Sequence, residues 1–264
     1  MIAAQSSLFL RTAAERSRLS ANRFESEVCN VNKDPIAARV FRDYGSIFVT
    51  SESVLVPSKC VFDSPATTTE FQSRMKLSGQ RIANADITLQ SEAMKALNVA
   101  LQEASERQLR ITPLDGSIAG LRSYEDTVKL WNSRFYRALD HWQRRGRISK
   151  EDADAARDLT AYEQVPLVLK WEERGIWFST GFSRSILTSV AAPGTSQHLS
   201  GLAFDVVEYR DSRIRAILNK HGWFQTVASD EPHFTYLGND ENELPARGLK
   251  PVVRGGYKYW IPAI

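Results

Sequence analysis

The sequence predicts an α+β fold, a small antiparallel sheet flanked by helices. Three features point there: helical periodicity in several segments between 91 and 174, short β-branched and aromatic runs broken by Gly, Pro and Ser, and no internal repeat or low-complexity tract. At 264 residues the chain is long enough for a full core, as one large domain or two smaller ones.

Residues 1–24, rich in Ala, Ser and Arg, form a helical or mobile lead-in. Residues 36–62 change character. Val40, Phe41, Ile47, Phe48, Val49, Val54, Leu55 and Val56 fall in short runs broken by Gly45, Ser51 and Pro57, which reads as strands and turns. The polar run Ser64 to Thr69 is a break. Residues 1–80 are therefore an N-terminal appendage with a small β element, and 81–264 the main domain.

The spacing predicts a helix over 91–108, with Ala93, Leu97, Ala100, Leu101 and Ala104 on one face. Arg110–Pro113 is a short strand. Ser123 with Asp126 has capping-box spacing and opens a helix to about 143; Ser149 with Asp152 opens another. Leu167–Arg174 is helical, with Pro166 in its first turn and Gly175 at its end. Ile176–Phe178 and Ala203–Val207 read as strands. Asp211–Lys220 is a helix closed by Gly222, Trp223–Val227 and His233–Leu237 are strands, and Val252–Ile261 is a hairpin around Gly255-Gly256.

The bulk properties exclude several classes. A net charge of +3 and no basic block beyond Arg144-Arg145-Gly146-Arg147, which reads as a solvated helix end, argue against nucleic acid. No apolar run approaches the ~18 residues of a membrane span. Leu8-Phe9-Leu10 is too short for a signal peptide core, so the chain is cytosolic or a mature chain whose leader has been removed.

Among catalytic schemes, His-Glu-x-x-His is absent. Cys29 and Cys60 have no base beside them in sequence, and Ser73-Arg74-Met75-Lys76 matches Ser-x-x-Lys without a Lys-Thr-Gly partner. What remains is a metal. His198 and Asp205 flank a glycine turn and the start of a strand, and His233 begins another strand. Two imidazoles and a carboxylate suit a catalytic zinc that keeps its fourth position for water. Alone, His198 is an ordinary buried histidine and Asp205 a turn cap; together with His233 they form a ligand set. The general base is Asp230 or Glu231. Alternation places Glu231 on the face of His233, but Pro232 breaks ideal strand geometry, so periodicity leaves both open. His141 and His221 are structural or exposed.

Ser196-x-His198-x-x-Gly201-x-Ala203-x-Asp205, after Pro193-Gly194, resembles the signature of the VanY-like D-alanyl-D-alanine carboxypeptidases, zinc peptidases that share a fold with Hedgehog signalling domains. Asp230-x-Pro232-His233 resembles the second block in the form used by the endopeptidase branch. Gly120-Leu121-Arg122-Ser123-Tyr124 resembles a third block. The resemblance covers about 85–240 and implies His198, Asp205 and His233 as Zn2+ ligands, Asp230 rather than Glu231 as catalytic base, and Arg122 at the scissile carbonyl. Ser196 matches a position near metal or substrate, with a simple turn serine as the competing reading. Arg184 is a second candidate for binding an anion. The span from Arg122 to His198 is long for the family and suggests an inserted helical region near 135–180; residues 1–80 match nothing in it.

The implied activity is hydrolysis of peptidoglycan stem peptides, with D,D-carboxypeptidase foremost. The alternatives are an endopeptidase of the same family and a metal-containing cell-wall-binding module without turnover. Such a substrate places the protein in the periplasm or outside the cell, with no nucleic-acid partner. In that compartment Cys29 and Cys60 pair as a disulfide, worth about 3–4 kcal/mol, rather than remaining two buried thiols.

Overall fold

The structure, a computed structural model, describes residues 2–18 and 23–264. The mixture of helices and small antiparallel sheets is the α+β class that the sequence predicts. The compact units cut the chain differently from 1–80 and 81–264. One comprises 1–60, 69–122 and 197–264; the other comprises 61–68 and 123–196.

The first unit begins with helix α1 (Ile2–Arg16), so the lead-in is helical over that span. Phe9 lies against Phe41, and Phe24 packs on both Phe41 and Phe48, with ring centroids 5.3–5.7 Å apart. The strands expected over 36–62 are a correction. Among the described residues that span carries helix α2 (Pro35–Tyr44) and a 3-10 turn (Gly45–Val49) instead. The Asp34 carboxylate accepts from the Ile36 and Ala37 amides, and Pro35 occupies the first turn. Ile36, Ala37, Val40, Phe41 and Tyr44 then form one buried helical stripe. β-branched content is a weak bias that this cap and stripe outweigh. Cys29 and Cys60 form a disulfide that closes the loop holding α2.

Helix α3 (Pro65–Ser73) occupies part of the stretch taken as a polar break. Strands β1 (Leu77–Ile82) and β2 (Ala85–Gln90) make an antiparallel hairpin that the sequence did not announce. Its two-residue turn is Ala83-Asn84, with Ala83 at φ 50°, where a glycine would have advertised it. Helix α4 (Ser91–Glu106) follows. The expected strand at Arg110–Pro113 is only an isolated bridge between Pro113 and Val206.

In the second unit, α5 (Tyr124–Arg144), α6 (Lys150–Asp158) and α7 (Ala161–Glu173) form a helical body. Helix α7 begins at Ala161 rather than near Leu167. Thr160 and Glu163 form a capping box, and the buried Gln164 accepts the Trp131 indole N–H at 3.0 Å. The strand expected at Ile176–Phe178 is a correction, since these residues carry no strand; Phe178 stacks on Trp171 and Phe135 at 5.6 and 5.9 Å.

The chain returns to the first unit for the three-stranded sheet: β3 (Ala203–Asp205), β4 (Trp223–Phe224) and β5 (His233–Tyr236), in order β3-β5-β4 and antiparallel throughout. Helix α8 (Ser212–Lys220) lies between β3 and β4 in sequence and packs on α4. Strands β6 (Leu249–Arg254) and β7 (Tyr257–Pro262) close the chain as the expected hairpin. All residues of the sheet are buried.

Candidate metal centre

Register brings the first two donors together. Asp205 ends β3 and His233 begins β5, and the two are direct cross-strand partners, so their side chains share a face. His198 arrives from the 3-10 turn Gln197–Ser200. Gly201, at φ +62°, reverses the chain between that turn and β3, a conformation L side chains rarely adopt. Gly120 allows a second close approach: a Cβ there would lie 2.7 Å from the Thr88 carbonyl oxygen.

The Gly120 carbonyl faces His198 Nδ1 at 2.8 Å. A carbonyl only accepts, so Nδ1 carries the ring proton and Nε2 presents its lone pair. His233 is the mirror case. Its Nε2 lies 2.8 Å from Gln197 Oε1, so Nε2 donates and Nδ1 presents the lone pair. His198 Nε2 is 3.1 Å from His233 Nδ1, and Asp205 Oδ1 is 3.2 and 3.1 Å from these two nitrogens. Three acceptors therefore converge with their protons turned outward, an arrangement that a cation satisfies. A tetrahedral zinc at about 2.0–2.1 Å from its donors needs donor spacings near ~3.3 Å, close to this triangle.

Electrostatics agrees. Burial, with Arg122 nearby, pushes His198 down to about 4, so its imidazole is neutral at pH 7, the form that ligates. Burial opposes the Asp205 charge, but its close contacts with the His198 and His233 rings outweigh this and hold the carboxyl well below the usual range. Asp205 Oδ2 also takes a 2.6 Å hydrogen bond from Arg122 Nη2, while Arg122 Nε donates to the Ile118 carbonyl at 2.7 Å. Arg122 thus stands behind the carboxylate as its ion-pair partner. Gln72 Nε2 ties the Arg122 and Leu199 carbonyls together at 2.8 and 3.0 Å.

Asp230 sits in the turn that feeds β5: its amide donates to Val227 O at 3.0 Å, and its carbonyl accepts from His233 N at 3.4 Å. The residue reaches solvent, yet surrounding protein costs its carboxyl hydration and raises it; Asp205 and Glu231 add to this, His233 and Arg122 oppose it. Glu231 faces elsewhere, with Oε1 3.8 Å from where a Cβ on Gly255 of the β6–β7 turn would lie. Its carbonyl accepts from Gln225 Nε2 at 2.5 Å.

Ser196 and Arg184 fall in the second unit. Ser196 is buried, and Arg184 is exposed in a turn where its amide meets the Ser179 hydroxyl at 3.1 Å. Sequence reasoning missed Gln197 and Gln72, and named Gly120 only as part of the third block. Gln197 stands beside His198 in the motif, but nothing in the spacing says that its amide faces a histidine 36 positions away.

A family model described as VanY, D-alanyl-D-alanine carboxypeptidase, matches residues 86–239, which contain Arg122, His198, Asp205, Asp230 and His233. No curated protein matches the chain. One similar solved structure is a mutant of the vancomycin-resistance D,D-pentapeptidase VanY from a VanB-type resistance cassette, in complex with Zn(II). It is 16% identical, with 63% of this chain and 82% of that chain covered and a TM-score of 0.36.

Proposed function

The chain belongs to the VanY family of D-alanyl-D-alanine carboxypeptidases, and we propose that it is a zinc peptidase that releases the terminal D-alanine of peptidoglycan stem peptides. The observation that carries this reading is the convergence of His198 Nε2, His233 Nδ1 and Asp205 Oδ1 with both ring protons directed away. Zinc held by these residues would supply a Lewis acid and lower the pKa of water towards ~7. Asp230 is the proton carrier: it takes the proton of the attacking water and passes it to the leaving amine. Its raised carboxyl suits that exchange, and Glu231, turned towards the β6–β7 hairpin, does not share it. Arg122 keeps Asp205 charged and oriented, and its guanidinium offers donors to the oxyanion that develops at the scissile carbonyl.

The form Asp230-x-Pro232-His233 favours a second reading, an endopeptidase acting within the stem peptide or cross-link. We place either activity in the periplasm or outside the cell. The Cys29–Cys60 disulfide supports this, and among the described residues no helix is long and apolar enough to cross a membrane.

Incubation with a pentapeptide ending in D-Ala-D-Ala and with purified peptidoglycan, read by mass spectrometry, separates the readings. Free D-alanine supports the carboxypeptidase, and larger fragments support the endopeptidase. A protein that holds zinc but releases nothing from either substrate overturns both and leaves a non-catalytic cell-wall-binding module.

A further inference from the structure

We propose that Gln197 is the positioning residue that selects the metal-binding tautomer of His233, and that the N-terminal segment holds Gln197 in place. The inference rests on the metal-centre reading above. Gln197 Nε2 donates to the Tyr44 carbonyl at 2.7 Å, which fixes the amide and turns Oε1 towards His233. That oxygen accepts the His233 Nε2–H at 2.8 Å and the Thr235 hydroxyl at 2.5 Å; Thr226, bonded to Thr235 at 2.7 Å, approaches it at 3.5 Å. Gln197, His233, Thr226 and Thr235 are all buried, so water does not substitute for a lost partner. A reversed amide would set its NH2 against His233 Nε2 and drive the ring proton to Nδ1, the atom that faces Asp205 and His198. The orientation of one amide therefore decides whether His233 offers a lone pair to the centre.

Tyr44 ends α2, inside the loop closed by Cys29 and Cys60 and outside the family-matched residues 86–239. Gln90 ties this loop to the metal-binding turn a second time: Nε2 donates to Leu55 O at 2.7 Å and to Ser200 O at 2.8 Å, and Oε1 accepts the Leu55 amide at 2.8 Å. Residues 29–60 are thus outer support for a ligand, a role their sequence does not suggest.

The test uses the purified full chain. Long-range 1H–15N NMR of the metal-free protein is expected to find the His233 proton on Nε2; a proton on Nδ1 overturns the inference without any substitution. Zn2+ affinity is then measured by competition with a chromogenic chelator. Gln197→Leu is expected to weaken it roughly 10- to 100-fold. Gln197→Glu, which keeps the acceptor for His233 but loses the donor to the Tyr44 carbonyl, is expected to recover part but not all of that loss. Unchanged affinity in Gln197→Leu overturns the positioning role, and full recovery in Gln197→Glu overturns the part assigned to the Tyr44 carbonyl. Wild-type affinity in His233→Ala is a separate result: it overturns the metal centre, and this inference with it.

Discussion

His198 and His233 face the centre through different nitrogens, because each is held on its far side by an acceptor: the Gly120 carbonyl for one, the Gln197 amide oxygen for the other. Outer hydrogen bonds of this kind fix ring orientation and raise ligand basicity. His233→Ala is expected to reduce bound zinc, measured by metal analysis, to a small fraction of one equivalent. Asp230→Asn separates binding from chemistry: zinc is retained, while turnover of a D-Ala-D-Ala peptide falls roughly 10²–10⁴-fold. Glu231→Gln, by contrast, stays within a few-fold of wild type; a loss matching that of Asp230→Asn would return the base to Glu231. Arg122→Met leaves the Asp205 carboxylate without its ion-pair partner, and both side chains are only 12% exposed. A loss of about 3 kcal/mol in urea unfolding of the metal-free protein is expected, on the scale of breaking a buried pair.

At the scale of elements, the centre depends on one cross-strand pair and one tight turn. The β3–β5 register sets Asp205 opposite His233, and a slip of one residue would send one of them to the other face. Gly201 carries the turn, and a Cβ there would sit 3.2 Å from the Gln90 amide while φ stays at +62°. Gly201→Ala is expected to cost about 1–2 kcal/mol through the left-handed backbone alone. It also shifts the 3-10 turn that bears His198, so zinc affinity should fall along with the melting temperature. A variant with the lower melting temperature but unchanged zinc affinity would separate the turn from the centre. The helices show where the sequence spoke clearly. Ser123 with Asp126 and Ser149 with Asp152 mark real N-termini, because a cap is a local bond between near neighbours. The strands spoke less clearly. Residues 36–44 carry β-favouring side chains, yet fold as a helix under the Asp34 cap and a buried stripe.

At the scale of the first compact unit, α4 and α8 are joined by Glu103, which accepts from Lys220 Nζ at 2.9 Å and His221 Nε2 at 2.7 Å. Those hydrogen bonds, against a smaller opposing effect of burial, bring Glu103 from an ordinary 4.5 down to about 2. A carboxyl lowered on folding stabilises above its unfolded pKa, and that contribution disappears as pH falls through the folded value. The melting-temperature gap between wild type and Glu103→Gln should therefore be full at pH 5 and close towards pH 2; a gap that does not change over that range overturns the role given to Glu103. The family was legible because His198, Gly201, Asp205, Asp230 and His233 stand in a short, ordered pattern along the chain. The sequence by itself determined which chemistry is on offer and where most helices begin, since both depend on residue type and on neighbours within a few positions. The tertiary structure alone decided which imidazole nitrogen faces inward, that Arg122 pairs with Asp205, that the Glu231 carboxylate lies by Gly255, and that Gln197 bonds the Tyr44 carbonyl. These depend on hydrogen bonds between residues as far as 153 positions apart, and such partners leave no periodic trace in the chain.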